Sequence, residues 1–280
     1  MTASRPPARP LLVLRSERLR PYVERPGPFA VAELPDWERL FAAVERAPPS
    51  AVVLVDACPG GGEPDPRLFR LLGRYPSATV VAALEIVPGA VGHARALLAA
   101  GASELLGLGR EPPETAARVL ASAHARPLKR RLEAALSRFT SAEARVLLRA
   151  AAEVAADGGS VPDLAARLGV SEQTLGRWCE AAALPGPRRL QVWMRLLLAA
   201  LLLEDGGRTL RAAAAACGYA TDRSLRRALG ALLGAGSREL RREGAFERTA
   251  AGFNAELRSR REDVRRAPPR AARARPDGPA

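Results

Sequence analysis

The sequence has few of the residues that bind metals or staple extracellular folds. Three cysteines (Cys58, Cys179, Cys217) and two histidines (His93, His124) stand among 280 residues, with no metal-ligand spacing between them. No metal and no cofactor is expected. The odd cysteine count also argues against a disulfide framework and fits a reducing cytosol. Aromatic residues make up only 4% of the chain. Long apolar runs are missing: Leu196–Leu203, the longest, is far too short to cross a bilayer. The N-terminus has Arg and Pro but no apolar core of signal-peptide type. Lysine is nearly absent, Lys129 being the only one. What the chain has instead is arginine, and its formal net charge is +13. That excess favours a polyanionic partner. The accompanying richness in Ala, Gly and Pro marks a compositional bias as well, so charge supports nucleic-acid binding without establishing it. The length suffices for two modest domains, each with its own core.

Residues 1–10 are Pro- and Arg-rich and are expected to be disordered. From Leu11 the pattern alternates. Strands are expected at Leu11–Leu14, Phe29–Leu34, Ala51–Val55, Thr79–Ala83 and Glu104–Leu108. Helices are expected at Trp37–Arg46, Arg67–Tyr75, Ala90–Ala100 and Glu114–His124. Short connections between strand and helix imply a doubly wound parallel sheet over 11–126, with helices on both faces. Pro127 opens a charged helical connector, 127–139. Thr140 and Glu143 fit a capping box at the start of an all-α region, 140–242. The basic segment 243–280 reads as a largely disordered tail.

Two helix-turn-helix patterns lie in the all-α region. In the first, Ser160 caps a helix with Pro162 in its first turn, Gly169 ends it, and Ser171 caps the next. Glu172, Gln173, Gly176 and Arg177 then lie on or near the exposed side, with Leu168, Val170, Leu175 and Trp178 inward. In the second, Gly218 ends a helix, Tyr219 packs as Val170 does, and Thr221 caps a helix exposing Asp222, Arg223, Arg226 and Arg227, with Leu225 inward. Between them Pro187–Leu203 is one long apolar helix. A rigid helix fixes the separation of two reading helices; near one DNA turn, about 34 Å, both enter successive major grooves. Arginine offers a fork to guanine O6 and N7, and glutamine suits adenine.

The stretch from about Ala142 to Arg242 resembles the DNA-binding domain of the AraC/XylS family of transcription regulators. The resemblance rests on Ala165, Gly169, Val170, Ser171, Leu175 and Arg177; on Pro187, Arg195, Leu196 and Ala199; and on Ala214, Gly218, Tyr219, Leu225 and Arg227. Gly236-Ser237 with Leu240-Arg241 resembles the closing segment. It implies base-contacting positions at Gln173, Gly176 and Arg177 and at Asp222, Arg223, Arg226 and Arg227. Leu184, Leu190 and Leu229 depart from the usual family residues, and Gly176 has no side chain to read with.

The N-terminal alternation resembles a response-regulator receiver domain. Asp56 ends the third strand, where a receiver's phosphoacceptor stands. Phosphoryl transfer there needs a Mg²⁺ held by several oxygens, a cation and a hydroxyl. The acidic pair after the first strand is replaced by Arg15-Ser16, the hydroxyl position by Ala82 or Ala83, and the lysine by Leu108 or Gly109. His93 reads as a surface residue without a nearby carboxylate, Cys179 and Cys217 as small core residues, and Trp178 and Trp193 as core anchors.

The leading expectation is a sequence-specific, bacterial, cytoplasmic and nucleoid-associated transcription regulator without catalysis, reading duplex DNA through Gln173, Arg177, Asp222, Arg223, Arg226 and Arg227. RNA polymerase and a second copy of the chain are the other expected partners, and no membrane is. The N-terminal domain would serve dimerisation or signal sensing without standard phosphorylation. The alternatives are a response regulator phosphorylated on Asp56 and a protein-interaction adaptor that has lost DNA binding.

Overall fold

A computed structural model describes residues 9–24, 27–136, 140–234 and 236–266. The first half is a parallel five-stranded sheet: β1 (Arg9–Leu14), β2 (Phe29–Leu34), β3 (Val52–Asp56), β4 (Thr79–Glu85) and β5 (Glu104–Leu108). Their order is β2-β1-β3-β4-β5, a common doubly wound arrangement. β3 is buried along its whole length, which its continuous Val-Val-Leu-Val run requires. One face is covered by α2 (Trp37–Arg46), α3 (Pro66–Arg74) and α4 (Ala90–Ala100), through Leu40, Leu68, Leu71 and Leu97. The other is covered by the single turn α1 (Arg20–Val23) and by α5 (Pro113–Ala123), through Tyr22, Ala116 and Leu120. The expected α/β-then-all-α layout is therefore present. Arg9 and Pro10 belong to β1 rather than to a disordered arm, because they pair with Phe29 and Ala30. The remainder of that expected arm, 1–8, lies outside the described residues.

The second half is helical: α6 (Arg126–Ala135), α7 (Ala142–Ala156), α8 (Val161–Arg167), α9 (Glu172–Ala181), α10 (Pro187–Leu203), α11 (Leu210–Ala216), α12 (Asp222–Leu233), α13 (Ser237–Glu243) and α14 (Ala245–Arg266). Three expectations need correcting. α6 is not a bare connector: Leu128 and Leu132, one turn apart, are buried in the same core as α7 and α10. α7 is capped by Ser141, whose hydroxyl accepts from the Ala144 amide, while Thr140 is buried and accepts from Arg261. The largest change concerns 243–280. Residues 245–266 form α14, whose Phe246, Ala250, Phe253 and Leu257 are buried at helical spacing against α10 and α6. Phe253 packs on Trp193 with ring centroids 5.4 Å apart. Glu256 fastens the same contact by accepting from Trp193 Nε1 at 2.7 Å and from Arg189 at 2.9 Å. The rest of the expected tail, 267–280, lies outside the described residues.

α10 is the axle of this half. Leu190, Trp193, Met194 and Leu196–Leu203 are all buried along it, surrounded by α6, α7, α8, α9, α11 and α14.

Candidate nucleic-acid interface

The first unit is α8, a turn and α9. Ser160 and Asp163 form a capping box at α8, the Asp163 carboxylate accepting from the Ser160 amide at 2.7 Å. Gly169 turns the chain at φ 67°, a left-handed conformation that disfavours a side chain. Ser171 caps α9 by accepting from the Thr174 amide at 3.1 Å. Leu175 and Cys179, four apart, are fully buried and define the inward face of α9. Burial pushes the Cys179 thiol up to about 11, as suits a core residue. At 100° per residue, Gln173 and Arg177 fall on the opposite side, and both are exposed. Arg177 Nη2 donates to Thr174 Oγ1 at 3.0 Å, which steadies the guanidinium on the helix surface.

Trp178 was expected inward and is not: it is 43% exposed. It precedes Cys179 and lies well round from the axis set by Leu175 and Cys179, so its ring sits on the flank. Gly176 leaves a gap in the row of exposed residues. A Cβ built there meets nothing within 4 Å, so packing does not demand glycine.

The second unit repeats the construction. Gly218 turns at φ 75°, and Tyr219 packs against the core beside it, its phenol pushed up to about 12 by burial. Thr221 and Ser224 cap α12 reciprocally. Leu225 and Leu229 are buried, which puts Arg223 and Arg227 on the outermost ridge of α12. Neither has an ion pair among the described residues. Arg226 lies to one side and bridges Asp222 at 2.8 Å. That pair is exposed and weak, so Arg226 is available to a stronger anion. The ridge Gln173/Arg177 in α9 thus corresponds to Arg223/Arg227 in α12, each pair opposite its inward leucine.

Both units rest on α10, because Leu164, Leu175, Ala213, Ala214 and Leu225 share one core with it. Its 17 residues give a rod of about 25 Å.

At the sheet end, Asp56 is buried and lies opposite Ala83 in the β3–β4 register. Its carboxylate accepts from Ser16 Oγ at 3.0 Å and from the Cys58 amide at 3.2 Å, and Arg18 Nη1 lies 3.4 Å from both oxygens. Arg18 also donates to Cys58 O at 2.8 Å and pairs with Glu85 at 3.2 Å. Nothing in the local sequence around Arg18 marks its contacts with Asp56 and Cys58, which lie about 40 residues away. A cleft of about 390 Å³ opens beside it, bordered by Cys58, Glu63, Glu85, Val87 and His93. His93 has a carboxylate partner after all: Glu63, 3.1 Å away, reaches it from the loop after β3. Among the described residues no cluster of His, Cys, Asp and Glu is arranged to hold a metal ion, and no helix is long and apolar enough to cross a membrane.

Residues 164–243 match a family described as a helix-turn-helix domain. No curated protein matches the chain.

Proposed function

We propose that this chain, a DNA-binding transcription regulator whose residues 164–243 form an AraC-type helix-turn-helix domain, reads two successive major grooves on one face of the duplex. One observation carries the reading: α9 and α12 each expose a polar ridge directly opposite a buried leucine, and both are seated on the single rod α10. Gln173 and Arg177 serve one groove. Arg223 and Arg227 serve the next, flanked by Arg226 and Asp222. The two readers are unequal. α12 offers three arginines, one of them shared with Asp222, whereas α9 offers one arginine, one glutamine and a blank at Gly176. The second unit therefore supplies more of the affinity, and the first tolerates more sequences. Phosphates are held by other arginines and by helix N-termini, which fix register without reading bases.

The N-terminal domain serves sensing or self-association rather than phosphotransfer. Three donors already occupy the Asp56 carboxylate, and its neighbour across the sheet is an alanine. The cleft beside it suits a signal, and the exposed Ile86, Val87 and Val91 suit a second copy. No catalytic step is assigned.

Salt tests the DNA reading. Duplex affinity is expected to fall linearly on a log–log plot, with a slope of about −0.9 per phosphate contacted. Weak binding that ignores salt would contradict it and would favour the protein-interaction adaptor.

A further inference from the structure

We propose that the sheet domain holds the second helix-turn-helix unit in its reading position by gripping the loop that leads into it, and that loosening this grip is how the domain regulates DNA binding. The loop is 204–209, between the end of α10 and the cap of α11. Two charged side chains on it are buried, Asp205 at 0% and Arg208 at 4% exposure. They pair with each other at 2.8 Å, but most of their other partners belong to the sheet domain. Asp205 accepts from the Ser77 amide at 3.0 Å and from its hydroxyl at 2.5 Å. Arg208 donates to Val44 O at 3.0 Å, Glu45 O at 3.2 Å and Ala47 O at 3.0 Å. Those carbonyls lie at the C-terminal end of α2, where a helix lacks internal donors and favours a cation. The Gly206 amide donates to Arg74 O at the end of α3, 3.0 Å away. Gly207 fits so closely under Tyr75 that a Cβ there would stand 2.7 Å from the phenol oxygen.

A buried ion pair is a poor stabiliser compared with an apolar contact of the same shape, because both charges lose their water. It is, however, specific. Arg208 keeps its three carbonyl acceptors only while the end of α2 is in place; if it shifts, the buried guanidinium is left with Asp205 alone. A second seam between the halves, where Asp157 at the end of α7 meets Arg9 at 2.8 Å and His124 at 3.2 Å, leads instead into the first unit, whose cap Ser160 follows three residues later. The grip on 204–209 bears on the second unit, through Thr209, which caps α11 immediately after Arg208.

The far ends of the two gripping helices are also joined. Trp37 begins α2, and its indole donates to Asp65, the cap of α3, at 3.1 Å. Asp65 closes the loop whose Cys58 and Glu63 border the cleft. α2 and α3 thus start together below the cleft and end together on the loop 204–209. A ligand or partner that moves the cleft loop shifts two rods whose other ends hold Arg208 and Gly206 of the loop 204–209.

The inference rests on the DNA-reading role proposed above, and its test has one arm that needs no DNA. Arg208→Met and Gly207→Ala are made in the full chain, the second adding a methyl without removing a charge. Hydrogen exchange is the first readout. Amides of 206–217 are expected to exchange more than about tenfold faster, equivalent to about 1.4 kcal/mol of local stability, with α7 and α9 unchanged. Unchanged exchange in 206–217, or equal acceleration throughout the helical half, overturns the grip. If Arg208→Met does not fold, Gly207→Ala decides by the same criteria. The second readout is a hydroxyl-radical footprint on a duplex selected from random sequence by the unaltered chain. Protection of one half-site is expected to fade while the other persists. Equal weakening of both, or of neither, overturns the regulatory role. If the unaltered chain selects no duplex, the DNA reading fails while hydrogen exchange still judges the grip.

Discussion

Phe253→Ala removes the main anchor of α14 and measures whether this helix belongs to the core of the DNA-binding half. The Phe253 ring is 1% exposed and tilted 46° against Trp193 at 5.4 Å. Truncating a buried phenylalanine costs about 3–5 kcal/mol, from lost transfer free energy and the cavity left behind. Trp193 sits on the axle helix and keeps its Glu256 bond, so the site has little freedom to collapse. The upper part of that range is expected. With about 2–4 °C per kcal/mol for a chain of this size, the midpoint of thermal unfolding should fall by about 8–20 °C. Urea titration followed by tryptophan fluorescence gives the free energy directly, with exposed Ala251 on the same helix mutated to serine as the control. A loss below about 1 kcal/mol would show that α14 is an appended tail and would refute the packing argument.

Arg227→Ala should cost about 1–3 kcal/mol of discrimination at one base pair of the second half-site, read by competition between a selected duplex and its single mismatches. A uniform loss across all sequences would reassign Arg227 to a phosphate. Glu256 gives a pH dependence. Burial alone would raise its pKa, but hydrogen bonds from Arg189 and Trp193 outweigh burial and hold it below the usual carboxylate range. Its stabilising contribution is therefore complete above the unfolded value and is lost as pH falls through the lower folded one. Glu256→Gln should be less stable than the parent at neutral pH, and the gap should close in acid; a gap independent of pH would contradict the assignment. Incubation with a small phosphodonor and Mg²⁺ should leave the intact mass unchanged. A gain of one phosphoryl group that disappears in Asp56→Asn would restore the phosphotransfer reading.

Much of the fold could be read from local pattern. The continuous apolar run at β3 and the short alternating strand and helix patterns around it mark the sheet, and Trp37–Arg46 carries its helical period openly. Gly169 and Gly218 announce the two turns because few other residues tolerate their left-handed backbone. α14 was hidden by composition: arginines between Phe246 and Leu257 suggest disorder, yet Phe246, Ala250, Phe253 and Leu257 form an apolar stripe at spacings of four, three and four. Trp178 is apolar yet lies on the flank of α9, where angular position outweighs hydrophobicity. The long-range contacts had no local signal. Asp205 meets Ser77 from 128 residues away, and Arg208 meets Val44 from 164. Arg18 likewise reaches Asp56 only because β1 and β3 are neighbours in the sheet.

Hydroxyl-radical footprinting of the full chain on a duplex it selects from random sequence tests the central claim most directly. The account predicts two protected patches on one face of the DNA, about one helical turn apart, with the stronger patch lost in Arg223→Ala/Arg227→Ala and the weaker in Gln173→Ala/Arg177→Ala. A single patch, or two patches that respond alike to both double variants, would contradict reading by two separate and unequal units.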